Sequence, residues 1–246
     1  MTKAEIQLVR SLADKRGRTE TGLFVAEGEK LIGELRRSQL RVRKIYALEG
    51  IFEGPEVETV APREMERISH LKTAGNSLAL VEIPRYRIEL NWLRDRLVLA
   101  LDDVQNPGNL GTIIRLADWY GIGDILCSPA TADCFNPKVV QATMGAILRV
   151  RVHYAPLAPL LREAAALGMP IYGTFLEGEN IYRSALSASG IIVMGNEGRG
   201  VTPDAAAAVT HKLFIPPYPA DRRTTESLNV AMATGIVCSE FRRREF

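Results

Sequence analysis

From residue 97 onward the chain alternates short apolar runs with amphipathic segments, and no other feature limits its fold as strongly. The run 97–101 (LVLAL) is wholly apolar, the pattern of a strand covered on both faces in a parallel sheet. The periodicity then predicts a helix over 109–120, a strand over 124–127, a helix over 137–146 and a strand over 150–153. A helix over 157–167, strands over 170–175, 191–194 and 212–215, and a last helix over 227–242 complete the series. Strands and helices in alternation predict an α/β fold with a mainly parallel sheet.

The preceding part reads differently. Apolar Ile6, Leu8, Val9 and Leu12 form one helical stripe over 4–16, followed by the basic, turn-prone Lys15-Arg16-Gly17-Arg18. A strand over 23–27 turns at Gly28 into a helix over 29–38, and 44–48, 57–60 and 78–83 read as further strands. At 246 residues the chain has room for two domains. The charged, mixed stretch 84–96 places a boundary near 92, giving 1–91 as a small α/β domain and 92–246 as the larger one.

Composition excludes several classes. Net charge is +2, too close to balance for whole-chain attraction to nucleic acid, so an RNA site has to be local. Lys15, Arg16 and Arg18 suit phosphate contacts, or form a solvated loop. Cys127, Cys134 and Cys238 form no Cys-x-x-Cys pair, and His70, His153 and His211 have no ligand spacing, so no metal is expected. The opening residues lack a signal-like apolar region and no run is long enough for a membrane helix, so a cytoplasmic protein with no membrane partner is expected.

Three segments carry chemistry, each at the carboxyl end of an expected strand, where open α/β sheets build their sites. In the first, Asn106-Pro-Gly108-Asn109-Leu-Gly111 leads to Arg115; Asn109 is a candidate helix cap, and Asn106 and Arg115 are candidates to converge, or the segment is a tight turn with a surface arginine. The second, Gly195-Asn196-Glu197-Gly198-Arg199-Gly200, is a glycine-rich loop with a carboxylate at its middle. It lacks the G-x-G-x-x-G register, and Glu197 would repel a pyrophosphate, which argues against a dinucleotide site. Glu197 suits a cationic or hydroxyl-rich ligand, or caps a helix. In the third, Ile215-Pro216 precedes Ser227-Leu228-Asn229, with Ser227 the expected cap of the last helix.

Together the three segments resemble the motifs of the SpoU, or TrmH-like, branch of the SPOUT RNA methyltransferases over about residues 97–242. The opening Lys15-Arg-x-Arg followed by Gly22-Leu-Phe24-Val-Ala-Glu27-Gly28 is similar to the L30e-like substrate-binding unit of rRNA-directed members. The resemblance implies a C-terminal deep trefoil knot, which periodicity does not reveal. It implies S-adenosylmethionine as methyl donor, held by backbone groups at Gly195, Ile215 and Leu228 with Thr174 at an adjacent strand end, and a homodimer with its site near the subunit boundary. The implied activity is methylation of a ribose 2′-hydroxyl in RNA, with large-subunit rRNA favoured by the L30e-like start. The alternatives are a tRNA 2′-O-methyltransferase and a non-catalytic RNA-binding or ribosome-associated protein on the same scaffold. Arg115 resembles the residue that meets the hydroxyl, and Asn106, Glu197, Ser227 and Asn229 would orient the ribose, Arg115 and the cofactor. The sequence departs from the family between Ile215 and Ser227, where the loop is longer, lacks the glycine after Ile-Pro and carries Arg222 and Arg223.

Overall fold

The structure, a computed structural model, describes residues 1–219, 225 and 227–245. Arg222 and Arg223 lie outside the described residues. Contacts divide the chain into two units, Met1–Arg85 with Asp133–Leu148, and Tyr86–Ala132 with Arg149–Phe246.

The first unit is built on a four-stranded sheet of β1 (Leu23–Glu27), β2 (Val42–Ala47), β3 (Val57–Thr59) and β4 (Ser77–Glu82) in the order β1-β4-β2-β3. Val9, Leu12, Val25, Tyr46, Met65, Ile68, Leu78 and Leu80 are buried together in its core. The expected single helix over 4–16 is two helices, Lys3–Ser11 and Lys15–Thr21, the first closed by a capping box of Thr2 and Glu5. The basic run expected as a turn is therefore helical. Gly17 permits this, because a Cβ there would lie 2.1 Å from the carbonyl oxygen of Ser11.

The same packing corrects one RNA candidate. Arg18 is 2% exposed, its Nη1 donating to the carbonyls of Leu12 and Ala13 and its Nε and Nη2 to Asp133 at 3.0 and 2.7 Å. A guanidinium spent in this way is not offered to phosphate. Lys15 and Arg16 are exposed, Arg16 in an i,i+4 pair with Glu20. Asp133 belongs to the stretch Asp133–Leu148, which groups with the first unit, and Phe135 there stacks against Phe24 with ring centroids 4.7 Å apart. Its helix, expected over 137–146, is Pro137–Ala142 followed by a 3-10 turn at Ala146–Leu148.

The second unit holds β5 (Leu97–Leu101), β6 (Asp124–Cys127), β7 (Arg151–Tyr154), β8 (Ile171–Asn180), β9 (Gly190–Met194) and β10 (His211–Phe214). They form one parallel sheet in the order β10-β8-β9-β5-β6-β7. Every residue of β5, β6 and β9 is buried, as wholly apolar or nearly apolar central strands require. Strand β8 runs five residues past its expected end because its pairing with β10 jumps from Gly173–Lys212 to Glu179–Leu213, looping out the residues between. The helices Pro107–Trp119 and Val230–Arg243 pack together, with Leu116 meeting the position of Gly235 at 3.6 Å from where a Cβ would stand. Among the described residues no helix is long and apolar enough to cross a membrane, and no group of three or more His, Cys, Asp or Glu is placed to hold a metal ion. Cys127, Cys134 and Cys238 are buried and free of disulfides.

Candidate active site

Because the six strands are parallel, their carboxyl ends lie on one edge of the sheet, and the three motif segments leave from there. The first leaves β5. Asn106 is the cap of the helix Pro107–Trp119: its Oδ1 accepts from the N–H groups of Gly108 at 2.8 Å and Asn109 at 3.1 Å. Pro107 follows at the first helical position, where its missing N–H costs nothing. Asn109, the expected cap, is instead one turn inside the helix with its carboxamide free to reach outward.

The second segment leaves β9 as a tight loop. Asn196 and Gly200 exchange backbone hydrogen bonds of 2.9 Å in both directions, and Asn196 Oδ1 accepts from the N–H groups of Gly198 and Arg199. Gly200 has φ +70°, and a Cβ on Gly195 would stand 2.3 Å from the backbone of Gly200 and Val201, so both positions require glycine. Two neighbouring aspartates at the end of β5 fasten this loop. Buried Asp102 accepts from the N–H of Thr202 at 2.7 Å, while the carbonyl of Asp103 accepts from Asn196 Nδ2 at 2.8 Å. The Asp103 carboxylate also accepts from the Ser128 hydroxyl at 2.7 Å and faces Arg199 at 3.4 Å. Asp103 has φ +60°, a left-handed conformation that those bonds hold.

The third segment ends in the helix Val230–Arg243, and here the structure corrects the expected cap. Asn229, not Ser227, caps that helix, accepting from the N–H groups of Ala231 at 3.0 Å and Met232 at 3.3 Å. Ser227 and Leu228 precede it and are exposed.

The three segments meet through a residue that the sequence reading did not place in the site. Asn109 Nδ2 donates to Glu197 Oε1 at 2.7 Å, and Asn229 Nδ2 donates to Asn109 Oδ1 at 3.1 Å. One carboxamide thus links the glycine loop to the cap of the last helix. The sequence signal was present: three residues beyond the cap Asn106, position 109 completes the first turn and faces the same end of the sheet. Asn106 is not drawn into this chain of bonds, and it stands about 13 Å from Arg115 along the helix axis, nine residues at 1.5 Å each. Arg115 is exposed and, among the described residues, has no ion-pair or hydrogen-bond partner.

Among the described residues, the backbone N–H and C=O groups of Gly195, Ile215 and Leu228 form no hydrogen bonds, so each is left for water or a ligand. Thr174 donates from Oγ1 to the carbonyl of Val193, two residues before Gly195, at 3.3 Å. Leu228 is 49% exposed.

With this geometry in view, two family descriptions fit the chain. The SpoU rRNA methylase family matches residues 96–239 and the MRM3-like substrate binding domain matches residues 3–82. Over 240 residues the chain is 30% identical to the 23S rRNA (guanosine(2553)-2'-O)-methyltransferase RlmP of Bacillus subtilis, covering 95% of this chain and 94% of that protein. Among solved structures, a TrmH-family protein from Porphyromonas gingivalis superposes with a TM-score of 0.91 at 37% identity, covering 99% of each chain. The AdoMet-bound rRNA methyltransferase from Sinorhizobium meliloti superposes with a TM-score of 0.88 at 28% identity, covering 100% of this chain and 97% of that one.

Proposed function

This chain belongs to the SpoU rRNA methylase family, and from that membership we propose how its own residues carry out the reaction. It is an S-adenosylmethionine-dependent methyltransferase that acts on ribose 2′-hydroxyls of rRNA. The observation that carries the assignment of roles is the bridge Glu197–Asn109–Asn229, which joins all three motif segments at the carboxyl edge of the sheet.

When bound, S-adenosylmethionine supplies a methyl group on a positively charged sulfonium. The unpartnered backbone groups of Gly195, Ile215 and Leu228 are the cofactor holders, with Thr174 at the side. Glu197 would orient the cofactor and the ribose through hydrogen bonds, and Asn109 fixes the direction of its carboxylate. Arg115 meets the ribose. A guanidinium is effectively always protonated, so it stabilises the developing alkoxide instead of accepting the proton, which leaves to water or phosphate. Ser227 offers an exposed hydroxyl to the ribose, and Asn229 orients both the last helix and Asn109. Asn106 acts through the helix that it caps.

Among the described residues Arg115 has no partner, and this supports an active site completed at a homodimer boundary. The names of the relatives support large-subunit rRNA as the substrate, and with it a cytoplasmic site of action. Lys15 and Arg16 remain the candidates for RNA contact in the first unit, and the trefoil knot implied by the family resemblance belongs to this proposal. The test is transfer of labelled methyl from S-adenosylmethionine to unmodified large-subunit rRNA and to tRNA, followed by alkaline hydrolysis. Label in an alkali-resistant dinucleotide from rRNA is the expected result; label only in tRNA, or only in alkali-labile products, overturns the substrate or the 2′-O assignment.

A further inference from the structure

At the opposite, amino edge of the same sheet, the second unit displays aromatic and basic side chains that methyl transfer does not use. Trp92 is 53% exposed, although its neighbours Leu90 and Leu93 are 7% and 1% exposed and sit in the core cluster. The two leucines anchor the short helix Leu90–Leu93 and hold the indole outward. An apolar ring of that size left half in water is a surface that a bound ligand would cover favourably.

Arginines frame the ring. The guanidinium carbon of Arg96 lies 4.1 Å from the Trp92 ring centroid and that of Arg151 lies 6.0 Å from it, both within cation–π range. Arg151 is itself fixed, donating to Asp124 Oδ2 at 2.6 Å. Asp124 is 3% exposed and also bonds His153 at 2.9 Å, and Tyr86 lies against His153 with ring centroids 5.9 Å apart. Arg87, Arg94 and Arg96 are exposed and, among the described residues, enter no ion pair. Glu89 and Asp95 share the stretch, so the local excess of positive charge is small and the stacking surface is the more specific feature.

We propose that Trp92, with Arg96 over its ring and the exposed Arg94 in the same stretch, is a stacking platform for an unpaired base of the RNA substrate at a distance from the methylated nucleotide. A rigid indole flanked by guanidinium planes is the chemistry that holds splayed-out RNA bases, and unpaired arginines supply phosphate contacts. Two exposed rings are too little apolar surface for a stable protein interface, which distinguishes this occupant from a second copy of the chain. Strand β5 runs from beside Arg96 to Asp102, five residues or about 16 Å, so the platform and the methyl-transfer site lie on opposite edges of the sheet. The proposal rests on the reading of the chain as an rRNA methyltransferase.

The chain has two tryptophans, so W119F leaves Trp92 as its only indole. On titration with an unmodified 23S rRNA transcript, Trp92 emission in W119F is expected to fall in step with RNA binding measured on filters. W92A is expected to weaken RNA binding about 5- to 150-fold, with W92F restoring part of it and S-adenosylmethionine affinity unchanged. R94A/R96A is expected to lower the slope of log affinity against log salt by about 1.4. Emission that does not change while RNA saturates the filter assay overturns the platform, as does wild-type RNA affinity in W92A. A change of oligomeric state in W92A on sedimentation assigns the patch to a second copy and also overturns it. Should W119F bind RNA with quenching while the unsubstituted protein transfers no methyl group, the enzymatic reading fails and the platform stands.

Discussion

Replacing Asn109 by alanine removes the side chain that, among the described residues, joins the glycine loop to the last helix. The lost bonds are a 2.7 Å hydrogen bond to the Glu197 carboxylate and a 3.1 Å bond from the Asn229 amide. A hydrogen bond to a charged group contributes about 1.5–3 kcal/mol and a neutral one about 0.5–1.5 kcal/mol. Asn229 is exposed and water replaces part of its bond, so the combined loss falls near the lower end, about 2–3 kcal/mol. If that energy serves to orient the reacting groups, kcat/KM falls roughly 30- to 150-fold. The cap of the helix is untouched, because Asn106 supplies it. N109A should therefore melt close to the parent protein, whereas N106A should lose about 1 kcal/mol of stability and less activity than N109A. Single-turnover methyl transfer on rRNA, with thermal melting of both variants, separates the two. N109A with parental kcat/KM, or with its whole defect in melting temperature, would refute the reasoning.

Three further outcomes follow from the same contacts. R115A should abolish methyl transfer and keep S-adenosylmethionine binding, measured by calorimetry, since no described residue depends on that guanidinium; an active R115A removes Arg115 from the mechanism. R18A should cost about 3 kcal/mol of stability in urea unfolding, because it strands the Asp133 carboxylate and two carbonyls, while RNA affinity is little changed. Weakened RNA binding with intact stability would return Arg18 to the RNA surface. Hydrogen bonds from Arg243 hold Glu240 down to about 2, opposed by burial and helped by Arg244. A carboxyl lowered from 4.5 to about 2 is worth about 3 kcal/mol in full, and the exposure of Arg243 reduces this to about 1 kcal/mol. Because the folded value is the lower one, that stability is present above pH 4.5 and is lost as pH falls toward 2. The stability difference between the parent and E240Q should shrink over that window, and a difference independent of pH would contradict it.

Much of the second unit was legible in the chain. The strand at 97–101 and the strand at 124–127 stand where the apolar runs put them, because central strands of a parallel sheet are buried on both faces and leave an uninterrupted signature. The identity of the three motif segments was equally readable, since each is a turn or cap whose residue types are dictated locally. What misled was partnership. Asn106 and Asn109 are chemically identical and three residues apart, and either is an acceptable cap by local rules. Only the approach of Glu197 and Asn229 decides which one joins the site. The same holds for Ser227 and Asn229 at the last helix.

The amino-acid sequence by itself determined the α/β class, the parallel order of strand and helix, and the three strand-end segments, because periodicity and turn chemistry act over a few neighbouring residues. The tertiary structure alone decided that Asp133–Leu148 belongs with the first unit, that Arg18 is spent on Asp133, and that one asparagine ties residues 88 and 120 positions away. Those outcomes depend on long-range packing, in which a polar side chain finds its partner according to what the folded backbone brings within hydrogen-bond distance, and no local pattern encodes that choice.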